Sequence, residues 1–247
     1  MATIFSARAL LPVIVSFTLL GYGANATGLG VFQHDFSATF SLKTRGTLIG
    51  KTDWTLINTS GDELIFESKS KAAGIAAFIT NDHIVESSIW KRQEKSLVPY
   101  SYKYDRSGGK KEKRVTVDFD WSQGVARNTA KGKTWTMSIP EGTLDKLSYV
   151  LVMMHDLETG RGDLRYQIAD GGKLKVYQFK TIGEEILDTV FGKLSTEKIK
   201  RIRDDKRQTT YWCAPALSYL PVKVEHREKD GSVITLIIET VEGIPTD

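Results

Sequence analysis

Chemistry in a chain of 247 residues starts with its scarce reactive side chains, here four histidines and one cysteine. His34, His83, His155 and His226 are scattered. None stands one helical turn or two strand positions from another His or from Cys213, the spacings that zinc and copper sites use. No metal site and no cofactor is expected from them. Cys213 lies in Tyr211-Trp212-Cys213-Ala214-Pro215, with no nearby basic residue to lower its pKa. A buried structural thiol is therefore expected rather than a nucleophile. As the only cysteine, it also excludes an intramolecular disulfide.

Carboxylates and hydroxyls offer little more. Asp118 and Asp120 flank Phe119 on one strand face just before a turn, a pair that calcium binding or acid/base catalysis could use. A wet strand edge around a buried Phe119 accounts for the same letters, and no third acidic residue follows at a calcium-loop spacing. Ser148 and Ser195 lack the Gly-x-Ser-x-Gly setting of an exposed hydrolase nucleophile, and no glycine-rich phosphate cradle precedes a helix. No catalytic residue is assigned and no enzymatic activity is expected. A hydrolase whose site is assembled from distant residues is the enzymatic alternative.

The elements that would position any site are mostly strands. Phe32, Phe36, Ala38, Phe40 and Leu42 alternate with polar residues, which puts one face in a core and the other in water. Segments 48–58, around Trp54, and 63–71, with Leu64 and Phe66 on one side, read as a hairpin turned at 58–62. Further strands are expected at 84–90, 100–104, 115–119, 125–129, 134–139, 164–168 and 174–179. The stretches 222–228 and 233–241, joined through Asp230-Gly231, form the clearest hairpin. Tyr100, Tyr102 and Tyr104 are expected on one face.

The chain changes character once. Leu144, Leu147, Leu151, Met154 and Leu157 recur at three and four residues, with Thr143 placed to cap and Gly160 to close, so one amphipathic helix is expected over about 143–158. With about 10–12 strands at short spacing, the expected fold is mainly β: a large curved antiparallel sheet or open β-barrel with that helix packed on it.

Composition sets the compartment and bounds the partners. Residues 1–26 read as a signal peptide: Arg8, then an apolar run over 9–20, then Ala24-Asn25-Ala26 as a small-residue cleavage site. About a dozen apolar residues at ~1.5 Å rise each fall short of a ~30 Å hydrocarbon core, so no transmembrane segment is expected in the mature chain, a single domain over 27–247. The net charge of +4 falls to +3 on cleavage after Ala26. That bias is too weak and dispersed for a nucleic-acid partner. Two basic runs, 110–114 and 198–207, fit strand ends that solvate an edge, with contact to anionic lipid headgroups as the functional alternative.

A set of landmarks occurs in order: Ile89-Trp90-Lys91-Arg92, Pro99-Tyr100-Ser101-Tyr102, Phe119-Asp120-Trp121, Leu144-Asp145-Lys146-Leu147-Ser148, Thr189-Val190-Phe191-Gly192, Tyr211-Trp212-Cys213-Ala214-Pro215 and Tyr219-Leu220-Pro221-Val222. In this arrangement the chain resembles the exported bacterial proteins grouped as domain of unknown function 3108, across most of the mature sequence. The resemblance implies a Gram-negative periplasmic setting and a mainly antiparallel β fold, and it brings no catalytic residues.

The function expected from these readings is non-enzymatic and periplasmic. A wide sheet has one long apolar face that a single helix need not cover. A lipid-like or other hydrophobic ligand is therefore expected against Phe36, Phe40, Trp54, Phe66, Leu151, Met154 and Tyr166. The alternative is a cell-envelope interaction or assembly protein with a filled core. Its protein partners are not specified by sequence.

Overall fold

A computed structural model describes residues 31–59, 62–93, 96–203 and 205–244. The signal-peptide and cleavage-site expectations fall outside these residues. Alternating segments become strands: β1 (Phe36–Thr44), β2 (Thr47–Asn58), β3 (Glu63–Ala72), β4 (His83–Gln93), β5 (Ser96–Ser107), β6 (Lys113–Asp120), β7 (Val125–Ala130) and β8 (Lys133–Ser138). After one helix, α1 (Tyr149–Glu158), come β9 (Arg165–Asp170), β10 (Lys173–Thr189), β11 (Gly192–Ile202), β12 (Gln208–Ala214), β13 (Leu220–Arg227) and β14 (Val233–Glu242).

All fourteen join one antiparallel sheet in the order β8-β7-β6-β5-β4-β3-β2-β1-β14-β13-β12-β11-β10-β9. Each neighbour except the β1–β14 pair is the next strand in sequence, so the chain is a meander whose first and last strands meet in the middle. The count exceeds the expected 10–12 by β11, which is too charged to show clean alternation, and β12, whose residues 211–214 are buried in succession; β10 is also longer than expected and runs on to Thr189. In β11 only Thr196 and Ile199 are buried.

The two outer strands are not paired to each other, yet the gap between them is bridged. At one end the Gly172 N–H, in the β9–β10 turn, donates to Asn128 Oδ1 on β7 at 3.0 Å. Further along, the link from β8 to α1 lies beside β9. There Leu144 N–H donates to Gln167 O, and Ala169 N–H donates to Leu144 O, both at 2.8 Å.

This bridge explains where the helix starts. The expected span of 143–158 shortens to Tyr149–Glu158, because residue 144 is held extended against β9. Thr143 does not cap the helix; its hydroxyl donates to Pro140 O at 2.7 Å. Asp145 and Ser148 instead close the turn that leads into the helix, whose N-cap, Ser148, makes no side-chain capping bond. The Asp145 carboxylate accepts the N–H groups of Leu147 and Ser148 at 2.8 Å each, and Ser148 Oγ accepts the Asp145 N–H at 3.2 Å. This is the reciprocal arrangement of a capping box, made here in the turn before the helix.

One face of the sheet, the concave one, carries the core. Phe40, Leu56, Leu64, Phe66, Ile168, Ile199 and Ile238 are closed to solvent, and so are Leu151, Met153 and Met154 of α1. The helix is buried on most of its circumference, which is the environment of an element enclosed by a sheet rather than laid on its outside. At about 1.5–3 kcal/mol for each fully buried large apolar side chain, α1 and its surroundings stabilise each other strongly.

Candidate functional site: the concave face

The seven residues expected to line an apolar space converge on one cluster. Phe36 and Phe40 come from β1, Trp54 from β2, Phe66 from β3, Tyr166 from β9, and Leu151 and Met154 from α1; all are buried. Their rings pack on one another. Phe40 and Trp54 centroids lie 4.8 Å apart, Trp54 meets Phe66 edge-on at 5.8 Å, and Phe36 meets Phe66 at 6.3 Å. These are the separations of attractive aromatic pairs.

α1 reaches across this interior. On one side the Tyr149 ring stacks on Phe179 at 5.7 Å, and its hydroxyl shares a 2.7 Å hydrogen bond with the Tyr211 hydroxyl. Near the helix C-terminus, Tyr166 donates to Asp156 Oδ2 at 3.0 Å, and Arg161 pairs with the same carboxylate at 3.4 Å. On the other side, Asp145 just before the helix accepts the Ser88 hydroxyl of β4, and the Trp90 indole N–H donates to Ser88 Oγ at 2.8 Å. Two residues earlier on the same strand face, Glu86 accepts the Tyr102 hydroxyl of β5.

Three carboxyls therefore stand against the interior. Burial pushes Glu86 above the usual carboxylate range, with the Tyr102 hydroxyl pulling the other way. Burial likewise raises Asp145 against its Ser88, Ser148 and Leu147 donors, and raises Asp156 against the nearby Arg161 charge. Each acid is tied to a hydroxyl or backbone donor on an element other than its own turn. Asp145 and Asp156 tie α1 and the turn before it to β4 and β9, and Glu86 ties β4 to β5.

With this geometry in view, the profile of the family described as "Protein of unknown function (DUF3108)" matches residues 35–239, from just before β1 into β14. The chain belongs to the DUF3108 family. Among solved structures it is similar to a β-barrel-like protein of domain of unknown function DUF1849 from Brucella abortus. The two share 8% identity at a TM-score of 0.56, over 86% of this chain and 99% of that one, a likeness of fold alone. A putative outer membrane lipoprotein-sorting protein domain from Vibrio parahaemolyticus aligns over 89% and 88% of the two chains at 10% identity, but its TM-score of 0.26 carries no argument. No curated protein matches.

The other candidates of this DUF3108 chain have structural positions. Cys213 is closed to solvent on β12, and burial pushes its thiol far above the ordinary value. Asp118 is exposed, while Asp120 accepts from Ser122, from the Gln123 N–H and from Arg127, which together hold its carboxyl low. Ser148 is used in the turn before α1, and Ser195 is exposed on β11. Among the described residues no three His, Cys, Asp or Glu side chains come together as a metal cluster.

Tyr100 departs from the expected face. The β4–β5 register runs from Ile89↔Ser101 to Trp90↔Pro99, which leaves Tyr100 as the extra residue of a bulge. It turns outward, 47% exposed, with Lys91 Nζ 3.9 Å above its ring. The link joining Ser88 and Trp90 to Asp145 and Ser148 is the part that sequence reading missed. Its one legible signal is the Asp145-x-x-Ser148 spacing, masked by taking Thr143 as the cap.

Proposed function

We propose that this is a non-enzymatic protein of the Gram-negative periplasm that acts through its surface, with the interior of its sheet serving as a permanent core. The observation that carries the reading is that α1 occupies the concave face, with Leu151, Met153 and Met154 fully buried among the aromatic residues of the walls. The leader-like residues 1–26 support export.

Apolar side chains at the surface supply a place to act. Beyond Gln178, β10 is paired only with β11, and β11 pairs with β12 only over 197–200, so residues 181–196 extend as a two-stranded arm. The arm exposes Ile186 (68%), Val190 (66%) and Phe191. Exposed apolar groups on a protruding hairpin suit contact with a protein partner.

A second reading places a lipid-like ligand among Phe36, Phe40, Trp54, Phe66, Leu151, Met154 and Tyr166, with α1 displaced. What favours it is the unpaired seam between β8 and β9, beside which the α1 segment enters, together with the adjacent Met153 and Met154, whose side chains adapt to irregular shapes. Native mass spectrometry of protein purified from a Gram-negative periplasm, followed by lipid extraction, separates the two. The surface reading expects the bare chain mass. A stoichiometric lipid adduct that survives desalting would establish the carrier reading instead.

A further inference from the structure

The turns of the sheet fall at two ends. One end carries the β1–β2, β3–β4, β5–β6, β7–β8, β9–β10, β11–β12 and β13–β14 connections; the arm tip and the β6–β7 turn lie at the other. At the first end the β3–β4 connection contains a short 3₁₀ turn, Gly74–Phe78, none of whose residues is buried. Phe78 is 92% exposed, Ile79 80% and Ile75 60%, the most exposed large apolar residues described apart from those of the arm.

This loop is held in place. Ala73 N–H donates to Ile49 O at 3.1 Å, and Ala72 N–H donates to Asp82 O at 3.2 Å. Gly74 sits at φ +59° so close to β2 that a Cβ there would lie 2.5 Å from the Leu48 carbonyl oxygen. An apolar tip on a fixed base is therefore presented to whatever lies beyond this end.

Basic residues flank the tip. Arg45 in the β1–β2 turn and Lys71 at the end of β3 stand on one side; Lys110 and Lys111 of the β5–β6 turn stand on the other, with Lys131 and Lys133 beyond. All six are exposed, and none forms an ion pair among the described residues. The β5–β6 turn touches the loop directly, since Gly108 and Gly109 lie against Asn81, Asp82 and His83. Nearby acids offset part of this charge: Asp82 is taken up by Arg106, and Asp105 by Arg114, which leaves Glu112 and, across a shallow pocket from Arg45, Asp230.

We propose that this end docks on an anionic phospholipid bilayer, with Phe78, Ile79 and Ile75 entering the headgroup boundary and the lysines facing the phosphates. The inference rests on the surface-acting, exported reading given above and names a partner for it. Phe78, Ile79 and Ile75 stand together at one tip with exposed basic residues on both sides. They suit shallow insertion, where apolar contact and lysine charge act together. Each nearby basic residue is worth roughly fivefold in affinity.

The lone cysteine supplies the probe, because Cys213 is fully buried and a thiol placed elsewhere can be labelled selectively. Phe78→Cys and Phe191→Cys are each labelled with an environment-sensitive dye and mixed with vesicles containing phosphatidylglycerol or only phosphatidylcholine. The proposal expects a blue shift at position 78 alone, and only with phosphatidylglycerol. Unlabelled protein is sedimented in parallel. Binding should fall at least tenfold, as a rough figure, in Phe78→Ser/Ile79→Ser and in Lys110→Glu/Lys111→Glu, and should weaken in ~0.5 M salt, where screening is short-ranged. Circular dichroism confirms that the variants are folded.

Absence of vesicle binding, equal binding to phosphatidylcholine, or unchanged binding by Phe78→Ser/Ile79→Ser overturns the proposal. So does a blue shift at position 78 produced by a protein partner while vesicles leave it unchanged. None of these results requires lipid inside the sheet, so the failure of this inference is distinguishable from a lipid adduct in the native mass, which would remove the surface reading itself.

Discussion

At the scale of single residues, the buried acids are the most telling feature. Asp145 has no exposed surface and serves three donors: the Ser88 hydroxyl and the N–H groups of Leu147 and Ser148. Asp145→Ala would strand all of them in a dry setting, at about 1–3 kcal/mol for each group left unpaired. A loss of about 3 kcal/mol or more in chemical denaturation is expected. Asp145→Asn, which keeps an acceptor, should lose clearly less; equal losses would mean that the hydrogen bonds are not what holds this corner. Glu86 makes a second prediction, about pH. Burial puts its folded pKa above its unfolded one, so the folded chain holds its proton more tightly. The contribution to stability is then full below the unfolded value and drains away as pH rises through the folded value. Asp82, Asp120 and Asp205 are shifted down, and their contribution is lost only as pH falls below the ordinary carboxylate range. Glu86, like the raised Asp145 and Asp156, should therefore lift the melting temperature as pH falls toward the ordinary carboxylate range, and Glu86→Gln should flatten that rise. The difference between the two proteins is the readout.

At the scale of elements, the contrast between α1 and the arm can be put to a direct test. Leu151→Ala removes a fully buried side chain from the centre of the core and should cost about 2–5 kcal/mol, including the cavity left behind. Val190→Ser/Phe191→Ser touches side chains that are 66% and 42% exposed and should stay within about 0.5 kcal/mol per site. Thermal or urea melts of both variants check this, and comparable losses would contradict the placement of α1. Elements also show what was legible in the sequence. Strands with one apolar and one polar face, such as β1 and the β13–β14 hairpin, could be read directly, because their alternation records the two environments. β10 beyond Phe179 and the first half of β11 could not be, because only a few of their residues, Leu187, Leu194 and Thr196, reach the core, and the charged residues between them blur the period of two. The start of α1 was hidden for a related reason. Leu144 fits the helical spacing, but a backbone bridge to β9 recruits it for the sheet, and local periodicity carries no trace of a partner twenty-four residues away. The seven candidate residues were found together because burial by periodicity is what the sequence encodes. Whether they face a helix or a ligand depends on where α1 goes, a tertiary choice.

At the scale of the whole molecule, the position of α1 separates the two functional readings through dynamics. If the helix is a permanent core, it cannot leave without exposing Leu151, Met153 and Met154 and breaking the links from Asp145 to β4, Asp156 to β9 and Tyr149 to β12. Losing those contacts while the sheet stays intact would forfeit much of the interior, so opening of α1 and unfolding of the sheet should be one event. Native-state hydrogen exchange reports this directly, because amides that open only with global unfolding share its free energy and its denaturant dependence. The amides of Leu151 to Leu157 are expected to merge with those of β1, β2 and β3 into a single most-protected class, with slopes against denaturant equal to the global value. A carrier would behave otherwise. Its helix would open in a separate, low-energy step with a small slope, while the walls stayed protected, because ligand entry requires α1 to move with the sheet still folded. Protection of α1 well below that of the central strands would therefore overturn the permanent-core reading and turn attention to the seam between β8 and β9.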